Sequence, residues 1–176
     1  MTSIQMILAL GAMILLTILI INTNKTTLAT EDVMYDSNFG ITATSIASSI
    51  IEDASKKRFD KVTAVYDPAD SSYYAVSDAN DFTPAGDLGI DSGEDITEPK
   101  SFDDFDDYDN YTMVDSTMPS AIFNVSCKVV YVNETALDDS VTSQTFHKKI
   151  SVKVWSKSMS DTMVMSSIYS YWNFLP

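Results

Sequence analysis

MTSIQMILALGAMILLTILII, residues 1–21, contains no Lys, Arg, Asp or Glu. A bilayer-spanning helix needs roughly 20 mostly apolar residues, so this run is long enough to form one. A secretory signal peptide opens on a basic stretch and closes on a small-residue cleavage site. This run has neither pattern, and it is expected to be retained in the working protein. Beyond Ile21 the chain turns polar without a helix breaker, and Phe39, Ala43, Ala47, Ile50 and Ala54 recur at spacings of three and four, as one face of a helix does. The pattern predicts one helix from about residue 2 to about 58, with Gly11 and Gly40 as the points where it could break. At 1.5 Å per residue it would be on the order of 80 Å long, more than twice a bilayer core, so its outer half needs a head or neighbouring subunits to cover it.

Charge divides the rest of the chain. The net charge of -14 arises between Asp60 and Asp115, where sixteen Asp or Glu face only Lys61 and Lys100; elsewhere nine acids balance nine bases. Nucleic acid is not an expected partner on this reading, because phosphates are bound by stripes of Lys and Arg and none is present. Lys56, Lys57 and Arg58 form the one basic cluster, which suits a helix C-terminus. Removing the apolar run leaves about 150 residues, enough for one domain with a sizeable core. The expected organisation is an apolar N-terminal helix over residues 1–27 and a head over 28–176.

Within the head, residues 67–120 carry Pro68, Pro84, Pro99 and Pro119 and read as an acidic loop region, with a short strand at Ser72–Val76. Strand signals follow over 121–172: Ile122 to Val132, then Phe146 to Trp155 with Ile150, Val152 and Val154 on one side, then Thr162 to Trp172. Three such runs, with SKSMSD at 156–161 as the last turn, predict an antiparallel meander. Cys127 falls on the same face as Phe123, Val125, Val129 and Tyr131 and is expected to be a buried core thiol. As the one cysteine, it cannot form an intrachain disulfide. The aromatic end YSYWNFLP reads as a closing strand packed on the long helix, with a contact surface as the alternative.

DDFDDYD places Asp103, Asp104, Asp106, Asp107 and Asp109 close together, and hard oxygen ligands at short spacing are what calcium needs. The alternative is a solvated acidic loop. Asp91, Glu94 and Asp95 form a second, sparser acidic group. With one His, one Cys, no phosphate-cradling Gly loop and no nucleophile paired with a base, the chain is not expected to be an enzyme.

The N-terminal run, SFDDFDDYDNYT at 101–112 and KKISVKVWSKSMSDTMVMSSIYSYW at 148–172 resemble the type IV pilin and pseudopilin superfamily, with some likeness to minor pilins of the mannose-sensitive haemagglutinin type. The resemblance implies an α+β fold in which a long N-terminal helix, apolar in its first half, packs on a small antiparallel β-sheet head. It also implies removal of a leader and methylation of the new N-terminal residue, which places Met1, Gln5, Leu8, Gly11, Leu15 and Ile18 in membrane insertion and assembly. Three features depart from the family pattern: Met1 stands where Phe is usual, Gln5 stands where Glu is usual, and a Pro near residue 22 and a C-terminal disulfide are missing. Gln5 can accept a hydrogen bond from a neighbour's terminal amine but cannot cancel its charge.

On this resemblance the chain is expected to be a structural subunit of an extracellular pilus-like filament, polymerising with copies of itself. It would be held in the cytoplasmic membrane before assembly and handled by pilus or secretion machinery. A minor pseudopilin or tip component that binds a partner or calcium is one alternative. A membrane-anchored extracytoplasmic binding domain is another. Adhesion, motility, secretion and DNA uptake all remain open as roles of the filament.

Overall fold

The computed structural model describes residues 2–68 and 72–174. Helix α1 runs from Ser3 to Ala54, ending a turn before the sequence pattern suggested. Thr2 and Gln5 start it: the Thr2 N–H donates to Gln5 Oε1 at 3.1 Å, and the Gln5 N–H donates to the Thr2 carbonyl at 3.0 Å. This is the side-chain arm of a capping box, in which a Gln at the third helical position satisfies the cap residue's own N–H. Gly11 and Gly40 do not interrupt the helix. A single Gly costs only about 1 kcal/mol relative to Ala, too little to break so long a hydrogen-bonded ladder.

Threonines inside α1 satisfy their own hydroxyls. Thr17, Thr26, Thr27 and Thr30 each donate to the carbonyl four residues back, at 2.9, 3.0, 3.0 and 2.9 Å. Thr23 reaches the carbonyls of both Leu19 and Ile20. Within the apolar run the Thr17 hydroxyl therefore needs no outside partner.

The chain divides into two compact units, residues 1–39 and 40–176. In the second unit α1 buries Ala43, Ala47, Ile51 and Ala54, one stripe at spacings of four, four and three. Ile51 takes the inward place that the sequence pattern gave to Ile50.

A five-stranded antiparallel sheet carries the head. β1 (Tyr66–Asp67) and β2 (Ser72–Tyr73) form a separate two-stranded ribbon, shorter than the strand expected up to Val76. β3 (Thr112–Asp115), β4 (Phe123–Val132), β6 (His147–Ser156) and β7 (Met163–Ser170) lie in the order β3-β4-β6-β7, and β5 (Ser140–Val141) pairs with the end of β4. Cys127 faces Val152, which faces Met165, so β4, β6 and β7 form the expected meander. β4 buries Phe123, Val125, Cys127, Val129 and Tyr131, while β6 buries Lys148, Ile150, Val152 and Val154. Burial pushes the Cys127 thiol up to about 12. At the C-terminal end Tyr171 joins Phe59, Val76, Phe82 and Tyr131 in a core cluster, and Trp172 is exposed.

Candidate functional site

The residues expected to act in assembly lie along the first turns of α1. Leu8, Leu15 and Ile18 are 69%, 70% and 51% exposed, and an added Cβ at Gly11 would meet nothing within 4 Å. Met1 lies outside the described residues. The amide oxygen of Gln5 is engaged by Thr2 of the same chain. α1 is long and apolar enough to cross a membrane, and none of its most apolar stretch is buried.

The acidic loop does not behave as a solvated one. Phe102, Phe105, Tyr108 and Tyr111 recur every third residue and are all buried. Phe102 packs edge-on against Tyr108 at 5.0 Å and Tyr111 at 5.7 Å, and Phe105 lies 4.9 Å from Tyr169 on β7. Burying each ring contributes about 1.5–3 kcal/mol. The rings draw the intervening aspartates inward, and Asp104, Asp106, Asp107 and Asp109 are at most 4% exposed. A buried carboxylate without partners is far costlier than a ring is favourable, so each must be met by donors.

Asp109 is met by β4. Its Oδ1 accepts from the Val129 N–H at 2.7 Å, and its Oδ2 accepts from Lys128 Nζ at 2.9 Å and Asn110 Nδ2 at 2.7 Å. Asn110 adopts φ 61, a left-handed conformation that Asn tolerates, and this turns the chain into β3. Tyr108 donates its hydroxyl to Asp53 Oδ2 at 2.8 Å and so ties the loop to α1. Burial, then Asp53, raises its pKa.

Asp106 is met by Lys148, a wholly buried lysine on β6. Lys148 Nζ uses all three donors: on Asp106 Oδ1, on Asp60 Oδ2 at 2.7 Å, and on the Phe59 carbonyl at 2.9 Å. It also lies 4.7 Å from the Phe59 ring centroid and 5.2 Å from that of Tyr131. Burial works to discharge the amine, but Asp106, Asp60 and Asp104 outweigh it and hold its pKa above the ordinary lysine value. Asp60 is itself a hub. It caps the short helix α2 (Lys61–Ala64) through the Val62 N–H and accepts from the Thr83 N–H at 3.0 Å. Lys148 thus joins β6, the segment between α1 and α2 and the acidic loop in one buried ion-paired knot.

The remaining acids converge elsewhere. Carboxylate oxygens of Asp91, Asp103 and Asp104 lie within 4.8 Å of one another, as do those of Glu94, Asp103 and Asp107. Both acidic groups recognised in the sequence therefore meet, with Asp103 common to the two triads. Asp106 and Asp109 are taken up by lysines, and Asp95 by the Thr97 N–H and hydroxyl at 2.8 and 2.7 Å. Backbone N–H groups orient the cluster: Asp103 donates to Glu94 Oε1 and Asp107 Oδ2, both at 3.0 Å, and Asp91 donates to Glu94 Oε2 at 2.8 Å. Burial and crowding raise the carboxyl pKa values. Asp104 reaches about 10 through burial, Asp106 and Asp107; Asp107 reaches about 8 through burial and Glu94.

No family model, curated protein or solved structure matches the chain. Its architecture is nonetheless pilin-like in outline, a long apolar N-terminal helix with a small antiparallel sheet. Two features of the site escaped the sequence reading although each had a signal. Lys148 lies two residues before Ile150, so strand alternation alone puts it on the inward face. The aromatic period of three in SFDDFDDYDNYT marks the loop as an inward-packing one.

Proposed function

We propose that this chain is a structural, non-catalytic subunit of a type IV pilus-like filament, polymerising through the first part of α1. The observation that carries this reading is the exposure of that segment. From Ile4 to Ile21 the large apolar side chains are 48% to 70% exposed on every side of the helix. A helix apolar all round is stable only inside lipid or among other helices. A helix continuing from such a stretch into a head offers two successive environments, a bilayer and then a bundle of like helices. Head-to-tail contacts whose rotation does not close produce a helical polymer, and the proposal takes the contacts of α1 to be of that kind. Gly11, with open space where a Cβ would be, gives a neighbouring backbone a place for close approach.

The test is to shear surface filaments from the producing cell and identify their subunits by mass spectrometry, reading the native N-terminal residue and its methylation. The reading requires this chain as a filament component with a methylated N-terminal residue. Recovery of the chain only in the membrane fraction, in cells whose filaments lack it, overturns it and favours a membrane-anchored domain.

A further inference from the structure

We propose that Glu94, Asp103 and Asp107, joined through Asp103 to Asp91 and Asp104, form a calcium site that ties the 91–94 turn to the 103–107 loop. Asp107 supplies the decisive observation. Asp107 is 0% exposed, one of its carboxylate oxygens lies within 4.8 Å of those of Glu94 and Asp103, and its Oδ1 has no hydrogen-bond partner among the described residues. Its Oδ2 accepts from the N–H groups of Asp103 and Asp104, both at 3.0 Å, so the carboxylate cannot rotate without losing two bonds. A buried carboxylate oxygen with no donor is strongly unfavourable unless it takes up a proton or a cation, and a bound cation would displace that proton.

Geometry and chemistry select the ion. Oxygens within 4.8 Å of one another can face each other across one ion, because opposite ligands of calcium are separated by about twice its 2.3–2.6 Å bond. The set is all carboxylate, with no nitrogen or sulfur ligand, and so favours a hard cation. Ligands drawn from a turn and a loop form an irregular shell. Calcium accepts this with six to eight oxygens, whereas magnesium demands a near-octahedral shell at 2.0–2.1 Å. Of the lysines near the cluster, Lys61 is bonded to Asp91 Oδ1 at 2.6 Å, but its side chain is 56% exposed and it bonds one carboxylate of the five.

The experiment is calorimetric titration of the full chain in a non-ionic detergent with calcium chloride and separately with magnesium chloride, alongside thermal melts in calcium and in chelator. We expect one calcium per chain and at least tenfold weaker magnesium binding. The melting temperature should rise by about 5 °C or more at a hundredfold excess over Kd. Glu94→Gln with Asp103→Asn should abolish the calcium shift, read as the difference between melts in calcium and in chelator, since the loss of one backbone acceptor at position 94 lowers both melts alike. Asp103→Asn alone, at an exposed position, should weaken binding at least tenfold. Asp95→Asn should bind as wild type, since Asp95 holds Thr97. Absence of heat and shift in millimolar calcium overturns the site, as does a shift that survives the double substitution. Equal loss in Asp95→Asn also overturns it, by marking diffuse attraction to an acidic surface.

Discussion

Replacing Lys148 by Met tests the knot at the centre of the head. The methionine fits the volume of the lysine stem, but it leaves Asp60 and Asp106, at 0% and 2% exposure, without the ammonium that pairs with both. Three hydrogen bonds vanish with it, including that to the Phe59 carbonyl. Breaking a buried pair by removing one partner costs about 3–5 kcal/mol. For a chain of this size each kcal/mol moves the melting temperature by about 2–4 °C, so Lys148→Met should melt roughly 6–20 °C below wild type. The cost lies in the stranded carboxylates rather than in the loss of attraction. Adding Asp60→Asn and Asp106→Asn should therefore recover most of it, since Asn at position 60 still caps α2. Urea titration of the full chain in detergent, followed by tryptophan fluorescence, measures both differences. A Lys148→Met variant within about 1 kcal/mol of wild type, or a triple variant no more stable than the single one, would refute the reasoning.

Leu15→Asp places a charge in the middle of the apolar run at a cost of about 2.5–3.5 kcal/mol on insertion scales, and electron microscopy should then show no filaments; normal filaments would remove that segment from the core. Gln5→Glu keeps an acceptor for the Thr2 N–H and adds negative charge at the helix N-terminus, so it should assemble at least as well as wild type. Gln5→Leu removes the acceptor and should lower filament yield, and equal yields from the two variants would show that Gln5 has no assembly role. Cys127 should resist alkylation at pH 8 in the folded protein and react only on unfolding. With its folded pKa raised to about 12 from an ordinary value of about 9, the unfolded chain loses the thiol proton first, so stability should fall as pH climbs from 9 toward 12. Cys127→Ala should flatten that part of the pH profile, and an unchanged slope would assign it to other groups.

Periodicity made the framework readable. The 3.6-residue stripe through Ala43, Ala47 and Ala54 and the alternation through β4 and β6 are local signals, and local signals survive folding when they agree with the core. β3 was less accessible: Thr112–Asp115 is a short run that becomes a strand only because β4 offers it an edge. The acidic loop was misleading for a different reason. Counting charge in DDFDDYD favoured solvent or metal for all five aspartates alike, whereas the four buried rings sort them individually, two to lysines and three to a cluster with Asp91 and Glu94. That sorting depends on where Lys128, Lys148 and the 91–94 turn arrive in space, which no spacing in the chain encodes.

The threonines of α1 have a consequence for the helix as a travelling object. A hydroxyl stripped of water without a partner costs about 1–3 kcal/mol by mutational measures. Thr17, Thr23, Thr26, Thr27 and Thr30 each carry their acceptor with them in the preceding turn. Moving this segment from water to hydrocarbon, or from hydrocarbon to a packed protein interior, neither makes nor breaks those bonds. The hydroxyls contribute almost nothing to the difference between media, and the partitioning of the stretch is left to its apolar side chains and to Asn22, Asn24 and Lys25. If the chain assembles as proposed, these hydroxyls would set no barrier to moving the segment from one apolar surrounding to another.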